Sequence, residues 1–173
     1  MGRLILVAGP NGSGKSLFAE QLTARTGRER FYIATMLPVT DDNLARIEKH
    51  RRQRAGLGFE TLELPFHVAS APVSADSAVL LEDVSNLLAN ALFEQSSTPA
   101  QVFDDICLLQ KRCRLLVAVT IAGLVPNGCD AETTAYIGAL NALNERLFNR
   151  ADAAVRMEHR TPVVCKGELL DVF

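Results

Sequence analysis

A glycine-rich stretch near the start of the chain, GPNGSGKS at residues 9–16, has the residue types and spacing of a phosphate-binding loop. It fits the pattern G-x-x-x-x-G-K-[ST], whose glycines let backbone N–H groups point inwards at an anion. Lys15 would supply a positive charge to the β and γ phosphates, and Ser16 would offer a hydroxyl to Mg²⁺. The helix that follows would add the positive end of its dipole. The predicted nucleotide-binding residues are Gly9, Pro10, Asn11, Gly12, Ser13, Gly14, Lys15 and Ser16.

An acidic pair follows an apolar run later in the chain, VLLED at residues 79–83. Phosphate-loop enzymes need a carboxylate near Mg²⁺, and it usually stands at the carboxyl end of a strand beside the loop. Either Glu82 or Asp83 could supply it, and we favour Glu82 as a catalytic residue and metal ligand. The alternative is that both are ordinary exposed acids at the end of a strand.

The basic stretch RIEKHRRQR, residues 46–54, contains a single histidine, His50. An imidazole can attack the α-phosphate of a nucleoside triphosphate, which forms a phosphoramidate and releases pyrophosphate. The arginines that would steady the phosphate charge are Arg51, Arg52 and Arg54. The flanking cations that would favour the neutral, nucleophilic imidazole are Lys49, Arg51 and Arg52. The alternative is a solvated cationic helix face, which most charge runs are.

Apolar runs that alternate with helical patterns are expected to position these residues. Strands are predicted at 3–8, 30–35, 59–64, 77–83 and 114–120, and a strand, a turn and a strand within 153–172. Helices are predicted at 16–25, from 44 towards 54, and at 84–95, 99–112 and 131–150. Strands that are apolar on both faces indicate a mainly parallel sheet covered by helices on both sides. We therefore expect one α/β domain, residues 1–173, of the P-loop NTPase-like class.

The composition of the chain excludes several other classes of protein. The 173 residues are 48% hydrophobic and 22% charged, with a net charge of -2, which gives no reason to propose a nucleic-acid or membrane-surface partner. No apolar run approaches the length of a membrane span, and the first apolar run is too short for a signal peptide. The four cysteines form no CxxC pair, so free, mostly buried thiols are expected. These features predict a cytoplasmic protein.

Several segments together resemble one enzyme family. They are LILVAGPNGSGKS, FYIAT, RIEKHRRQR, VLLEDVSNLLANALF and LNERL. In their order and spacing they are similar to the bifunctional adenosylcobinamide kinase/adenosylcobinamide-phosphate guanylyltransferase family, which acts late in cobalamin assembly and salvage. The resemblance implies a P-loop α/β domain that assembles as a trimer. It also implies that His50 accepts GMP and that Arg54, Glu82 and Asn90 occupy family site positions.

The chain also departs from the pattern of that family. The family usually has asparagine-glutamate-valine-glycine after its valine-threonine strand, whereas here VAVT runs directly into IAGLVP. An arginine-aspartate pair of the family's long helix falls on Ile137 and Gly138, and a frequent cysteine falls on Asp83. The phosphate loop carries Pro10, Asn11 and Gly12 where the family has other residues. Part of the family's apparatus for the second substrate is therefore missing.

The resemblance implies two reactions on one chain. In the kinase reaction, a nucleoside triphosphate with Mg²⁺ would phosphorylate the aminopropanol hydroxyl of adenosylcobinamide. In the transferase reaction, GTP would load GMP onto His50, and the phosphorylated corrinoid would take it up. Two alternatives remain open: a P-loop kinase for another small molecule, and a nucleotide-binding module without turnover. The sequence does not separate ATP from GTP as the substrate.

Overall fold

A seven-stranded sheet forms the centre of the protein. The computed structural model describes residues 1–169. The strands are β1 Arg3–Gly9, β2 Arg30–Ala34, β3 Phe59–Glu63, β4 Ala78–Glu82, β5 Leu115–Ile121, β6 Ala153–Glu158 and β7 Thr161–Lys166. The helices are α1 Lys15–Ala24, α2 Asp41–Arg54, α3 Val84–Glu94, α4 Pro99–Arg112 and α5 Ala131–Arg150, with a short 3-10 helix at Val68–Ser70. The part of the final predicted strand beyond residue 169 lies outside the described residues.

The strand order across the sheet is β3-β2-β4-β5-β1-β6-β7. In this order, the first six strands all run parallel to one another. Within the described chain, only β7 runs antiparallel, and it pairs with β6. The carboxyl ends of β1, β2, β4 and β5 therefore meet at one edge, where α/β proteins bind their ligands. The prediction of a mainly parallel α/β fold of the P-loop NTPase-like class is confirmed.

Both faces of the sheet are buried under helices. Along β1, Leu4 and Leu6 point to a core that also contains apolar side chains of α3, α4 and α5. Ile5 and Val7 point to the opposite face, where Ala19 of α1 packs. This arrangement explains why the strands are continuous apolar runs rather than alternating ones.

Polar side chains begin most of the helices. Thr40, Asp83, Thr98 and Asp130 each accept a hydrogen bond from a backbone N–H in the first turn of α2, α3, α4 and α5. The Thr98 cap is part of a capping box with Gln101, and Pro99 occupies the first turn. Helix α2 begins at Asp41, where the sequence Asp41-Asp42 could start a helix, and Thr40 supplies the cap.

Helix α2 differs from the others because almost all of it is exposed. Within the described helix Asp41–Arg54, Arg54 is the only buried residue. Ile47 is half-buried and Leu44 is exposed, so little apolar area fixes this helix against the sheet. Its position therefore depends on a few polar contacts.

The environment of the cysteines differs from the sequence prediction. All four cysteines are free, but only Cys113 is buried, whereas Cys129 and Cys165 are exposed, so the prediction of mostly buried thiols is wrong. Both exposed cysteines lie where little apolar surface is available, in a loop and on the edge strand β7. Among residues 1–169, no helix is both long and apolar enough to cross a membrane.

Candidate functional site

The predicted phosphate loop connects β1 to α1. A Cβ atom added at Gly9 would lie 2.6 Å from Ser13 Oγ and 3.1 Å from Met157 Cβ, so a larger residue would crowd the end of the strand. Gly12 and Gly14 have φ angles of 75° and 84°, which glycine adopts without strain. Gly14 is also the N-terminal cap residue of α1. The loop thus curls in front of the helix N-terminus, as the sequence pattern predicted.

Lys15 is held over this loop. Its side chain is buried, and Nζ donates a hydrogen bond to the carbonyl oxygen of Pro10 at 3.3 Å. The backbone N–H of Ser13 donates to the same carbonyl at 3.3 Å. Ser13 Oγ is buried and has no hydrogen-bond partner within residues 1–169. The loop therefore combines a cation, a helix N-terminus and a buried hydroxyl, which suits an anionic group.

Ser16 and Glu82 are in direct contact. Ser16 Oγ donates a hydrogen bond of 2.6 Å to Glu82 Oε1, which joins the first turn of α1 to the end of β4. Glu82 Oε2 is buried and has no hydrogen-bond partner in the described part of the chain. The contact brings together two residues that the sequence pattern placed beside Mg²⁺.

The chemistry of this pair fits Mg²⁺. A hydroxyl oxygen and a carboxylate oxygen are hard ligands, and Mg²⁺ is usually held by one or two such groups together with substrate phosphates and water. Residues 1–169 contain no group of three or more histidine, cysteine, aspartate or glutamate side chains that could hold a metal ion. Ser16 and Glu82 would therefore be the protein's ligands, and the remaining ligands would be phosphate oxygens and water.

The environment of Glu82 favours its protonated form. The pKa of Glu82 is raised to about 8, mainly by burial and then by the neighbouring charge of Asp83. The hydrogen bond from Ser16 and the charge of Lys15 act in the opposite direction. A cation near Oε2 would favour the carboxylate, so binding of a metal ion there would be coupled to loss of the Glu82 proton.

His50 lies in the same pocket as Glu82. The pocket is lined by residues of α2, by the carboxyl ends of β2 and β4 and by the start of α3. Among these residues are Tyr32, Arg46, Arg54, Asp83 and Asn86. His50 Nδ1 is buried and has no hydrogen-bond partner within residues 1–169. The fold therefore brings the predicted nucleophile and the predicted metal ligand into one pocket, although the two residues are far apart in the sequence.

The pKa of His50 is lowered, as the sequence predicted, but mainly for other reasons. Burial is the largest cause, followed by the positive charges of Arg46 and Arg54. Lys49 contributes less, and Asp83 partly opposes these effects by raising the pKa. The cause proposed from the sequence, the charges of Lys49, Arg51 and Arg52, is therefore corrected. These three side chains are exposed to solvent, whereas Arg46 and Arg54 line the pocket of His50. Neutral imidazole is favoured.

Arg54 and Arg51 occupy different positions. The guanidinium of Arg54 is buried 3.8 Å from the centre of the Tyr32 ring and hydrogen-bonds Thr61 Oγ1. It lines the pocket of His50. Arg51 is half-exposed and pairs with Glu63 at 2.7 Å, outside that pocket. The structure thus groups Arg54, but not Arg51, with His50.

The chain belongs to a known enzyme family. Residues 5–164 match the sequence model of the family described as cobinamide kinase / cobinamide phosphate guanyltransferase. No curated protein matches the chain. The family match confirms the resemblance noted from the sequence motifs, and it covers most of the chain. The enzymes of this family transfer phosphorus-containing groups, and the chain is a transferase of this class.

Two positions that the family resemblance pointed to have structural contacts. Asn90 Nδ2 donates to the carbonyl oxygens of Thr35 and Pro65 at 2.7 and 3.0 Å, so it anchors the loop after β2. Asp83 Oδ1 accepts hydrogen bonds from Ser85 Oγ and from the N–H of Asn86, and so it caps α3. Both residues hold the edge of the site in place.

The segment that lacks the family's asparagine-glutamate-valine-glycine sequence follows β5. Asn144 of α5 accepts from Thr120 Oγ1 at 2.6 Å and donates to the carbonyl oxygen of Ile121 at 2.9 Å. Ile137, at one of the positions of the absent arginine-aspartate pair, is buried in this chain. The end of β5 is therefore hydrogen-bonded to α5 through the side-chain amide of Asn144, a group that carries no charge.

Sequence reasoning missed one buried residue of the site, Glu20. It is fully buried on α1, and its Oε2 accepts a 2.7 Å hydrogen bond from Gln53 Nε2 of α2. Its Oε1 is buried without a partner among residues 1–169. Burial raises the pKa of Glu20, while the hydrogen bond from Gln53 and the charge of Arg54 lower it. One signal could have found it: Glu20 lies one helical turn after Ser16, on the same face of α1.

Proposed function

We propose that the chain is an adenosylcobinamide kinase and adenosylcobinamide-phosphate guanylyltransferase that works through a guanylylated His50. The family match supports the cobinamide kinase and guanyltransferase class. The observation that carries the finer proposal is the single pocket that contains both His50 and Glu82, next to the loop whose Ser16 contacts Glu82. A nucleotide held by the loop would reach both groups.

In the kinase reaction, the loop would hold the triphosphate of ATP or GTP. Lys15 and the backbone N–H groups in front of α1 would bind its β and γ phosphates. Ser16 and Glu82 would hold Mg²⁺, which supplies neutralisation of phosphate charge. The corrinoid hydroxyl would attack the γ-phosphorus, the bond to the β-phosphate oxygen would break, and a nucleoside diphosphate would leave.

In the transferase reaction, a ring nitrogen of His50 would attack the α-phosphorus of GTP. A P–N bond forms, the bond to the bridging oxygen of the β-phosphate breaks, and pyrophosphate leaves. The phosphate of adenosylcobinamide phosphate then attacks the same phosphorus, His50 leaves, and adenosylcobinamide-GDP is formed. The lowered pKa of His50 keeps the lone pair available for the first step. Arg54 lies in the same pocket, where its charge would stabilise the attacked phosphate.

One structural feature favours a simpler alternative, a P-loop kinase without guanylyl transfer. The segment after β5 lacks the family's asparagine-glutamate-valine-glycine sequence, and the end of β5 is hydrogen-bonded to Asn144. A chain of this kind would release a nucleoside diphosphate and would never become labelled at His50. A binding module without turnover would consume no nucleotide at all.

Incubation with α-labelled GTP and Mg²⁺ separates these functions. We expect label on the wild-type protein that is labile in acid and stable in base, because protonation makes imidazole a good leaving group. His50→Ala should lose the label and keep GTP binding, since the phosphate loop is unchanged. A wild-type protein that binds GTP but never acquires label would exclude guanylyl transfer. With adenosylcobinamide added as the phosphate acceptor, release of diphosphate would then identify the kinase, and unchanged GTP would identify the binding module.

A further inference from the structure

The hairpin between β6 and β7 turns through two residues with unusual backbone conformation. His159 and Arg160 separate the paired residues Glu158 and Thr161, and their φ angles are 47° and 66°. Two-residue turns with positive φ at both positions strongly favour Asn and Gly, because a bulky side chain is strained in that conformation. This turn therefore retains two large side chains at a conformational cost, which suggests that one of them has a role.

The turn packs directly against the phosphate loop. A Cβ atom added at Gly14 would lie 3.5 Å from Arg160 Cγ, and one added at Gly9 would lie 3.1 Å from Met157 Cβ. The hairpin thus contacts both ends of the loop. The guanidinium of Arg160 lies beyond Cγ on an exposed side chain that borders the N-terminus of α1.

The Arg160 guanidinium is not committed to another carboxylate. Within residues 1–169 no hydrogen bond or ion pair of the Arg160 side chain is formed. Arg156, on the same hairpin, differs in this respect because its guanidinium pairs with Glu158 at 2.6 Å. The hairpin therefore carries one paired arginine and, beside the phosphate loop, one whose charge is available for a ligand.

We propose that Arg160 is a second phosphate-binding cation of the nucleotide site, presented by the strained turn to the phosphate tail held by Lys15. The proposal rests on the proposed function in that the loop must hold a nucleotide. A planar guanidinium can bind two oxygens of one phosphate through two parallel N–H groups, a fixed geometry that the ammonium group of Lys15 does not offer. The turn conformation sets the direction of the side chain, so the strain is the cost of placing the guanidinium at the loop.

The proposal predicts opposite effects of one substitution on stability and on binding. Arg160→Gly removes the strain at a positive-φ position, so we expect the melting temperature of the nucleotide-free protein to rise by about 2–4 °C. The same change removes a charge-assisted contact, so the affinity for GTP with Mg²⁺ should fall about tenfold. A residue with only a structural role would not lower affinity while raising stability.

Isothermal calorimetry with GTP and Mg²⁺, together with thermal unfolding, tests this. Arg160→Gln should also lose about tenfold in affinity, and Arg160→Lys should lose less because it keeps the charge. Arg156→Gln is the matched control and should bind GTP within about twofold of the wild type. The dependence of affinity on salt should weaken in Arg160→Gln and not in Arg156→Gln.

Two results would overturn the proposal, and they differ. If the wild type binds GTP and Arg160→Gly binds it equally well, Arg160 does not contact the phosphates, while the proposed function stands. If neither the wild type nor any variant binds GTP or ATP with Mg²⁺, the phosphate loop does not hold a nucleotide, and both proposals fail.

Discussion

Gln53 Nε2 donates a 2.7 Å hydrogen bond to the buried Oε2 of Glu20 and thereby joins the helix of His50 to the helix that starts at the phosphate loop. Gln53 lies three residues after His50, on the same side of α2. Because α2 buries only Arg54, this contact and the contacts of Arg54 with Tyr32 and Thr61 determine where His50 lies. The hydrogen bond between Gln53 and Glu20 therefore connects the part of the site on α2 with the part formed by the phosphate loop and α1.

The first prediction concerns Gln53→Leu. The change leaves both carboxylate oxygens of buried Glu20 without a partner, so the free energy of unfolding should fall by about 1–3 kcal/mol. His50 would also lose its alignment, and we expect the rate of self-labelling by GTP to fall about tenfold or more. Calorimetry should show nearly unchanged GTP affinity, since the phosphate loop is intact. Gln21→Leu, at an exposed position of α1, is the matched control.

A double variant separates loss of stability from loss of alignment. Glu20→Leu combined with Gln53→Leu removes both polar partners, which should restore much of the stability lost in the single variant. The hydrogen bond remains absent, so labelling should stay slow. Recovery of the labelling rate together with the melting temperature would show that the pair only stabilises the fold.

The second prediction concerns the pH dependence that Glu82 gives to stability. The pKa of Glu82 is about 8 in the folded protein, above its usual 4.5, so the folded state holds a proton that the unfolded state releases. The contribution of Glu82 to stability is therefore complete below about pH 4.5 and is lost as pH rises towards 8. Each pKa unit corresponds to about 1.4 kcal/mol.

Glu82→Gln removes this titration while it keeps an oxygen that can accept from Ser16. We expect the wild type to lose stability relative to Glu82→Gln between pH 5 and 8, by on the order of 2–4 kcal/mol. Urea unfolding with a chelator present measures the difference at each pH. Glu60→Gln, on the exposed strand β3, is the control for the same chemical change. Parallel pH curves for wild type and Glu82→Gln would contradict the prediction.

The third prediction concerns the protonation of His50. Its pKa lies below the usual 6.5 because of burial and of the charges of Arg46 and Arg54. Self-labelling needs the neutral imidazole, so its rate should be constant near pH 7–8 and should fall only at pH values below about 6.5. Arg46→Leu removes a repulsive charge and should move this acid limb to higher pH.

Lys49→Leu serves as the comparison, because Lys49 has a smaller effect on the same pKa. We expect it to shift the limb less than Arg46→Leu does. Imidazole proton resonances, followed by NMR through the same pH range, report the titration of His50 without any turnover. An acid limb that does not move in Arg46→Leu would show that the charge of Arg46 does not control the nucleophile.

The fourth prediction concerns assembly. Several large apolar side chains are exposed on the chain, among them Phe93, Leu108 and Phe148. The family resemblance implies a trimer, in which such side chains would be buried between subunits. We expect light scattering at micromolar concentration to give the mass of a homo-oligomer, most simply a trimer. A mass of 18.8 kDa would show a monomer instead.

The sheet and the glycine-rich turn between β1 and α1 could be predicted because their signals are local. Apolar runs predicted the strands. The turn between β1 and α1 was predicted by the fixed spacing of Gly9, Gly14, Lys15 and Ser16. The meeting of Ser16 with Glu82 followed from one general rule, that the carboxyl ends of parallel strands share an edge. In the structure, Ser16 Oγ and Glu82 Oε1 are 2.6 Å apart.

The environment of α2 could not be predicted in the same way. Its sequence is charged throughout, and nothing in it shows that Arg54 is buried over Tyr32 or that Gln53 reaches Glu20. These contacts depend on how α1, α2 and the edge of the sheet are arranged in space. For the same reason, the role proposed for Arg160 could not be predicted from the sequence. It depends on a turn that packs against a loop near the other end of the chain.

The scarcity of buried apolar side chains in α2 has a consequence for the motions of the protein. Local unfolding costs little where few apolar contacts are lost, so the backbone amides of α2 should exchange with deuterium well before those of β1, β4 and β5. The enzyme would then carry His50, the proposed nucleophile, on a unit that opens independently of the sheet. Ordering of that unit when nucleotide binds would appear as slower exchange confined to residues 41–54.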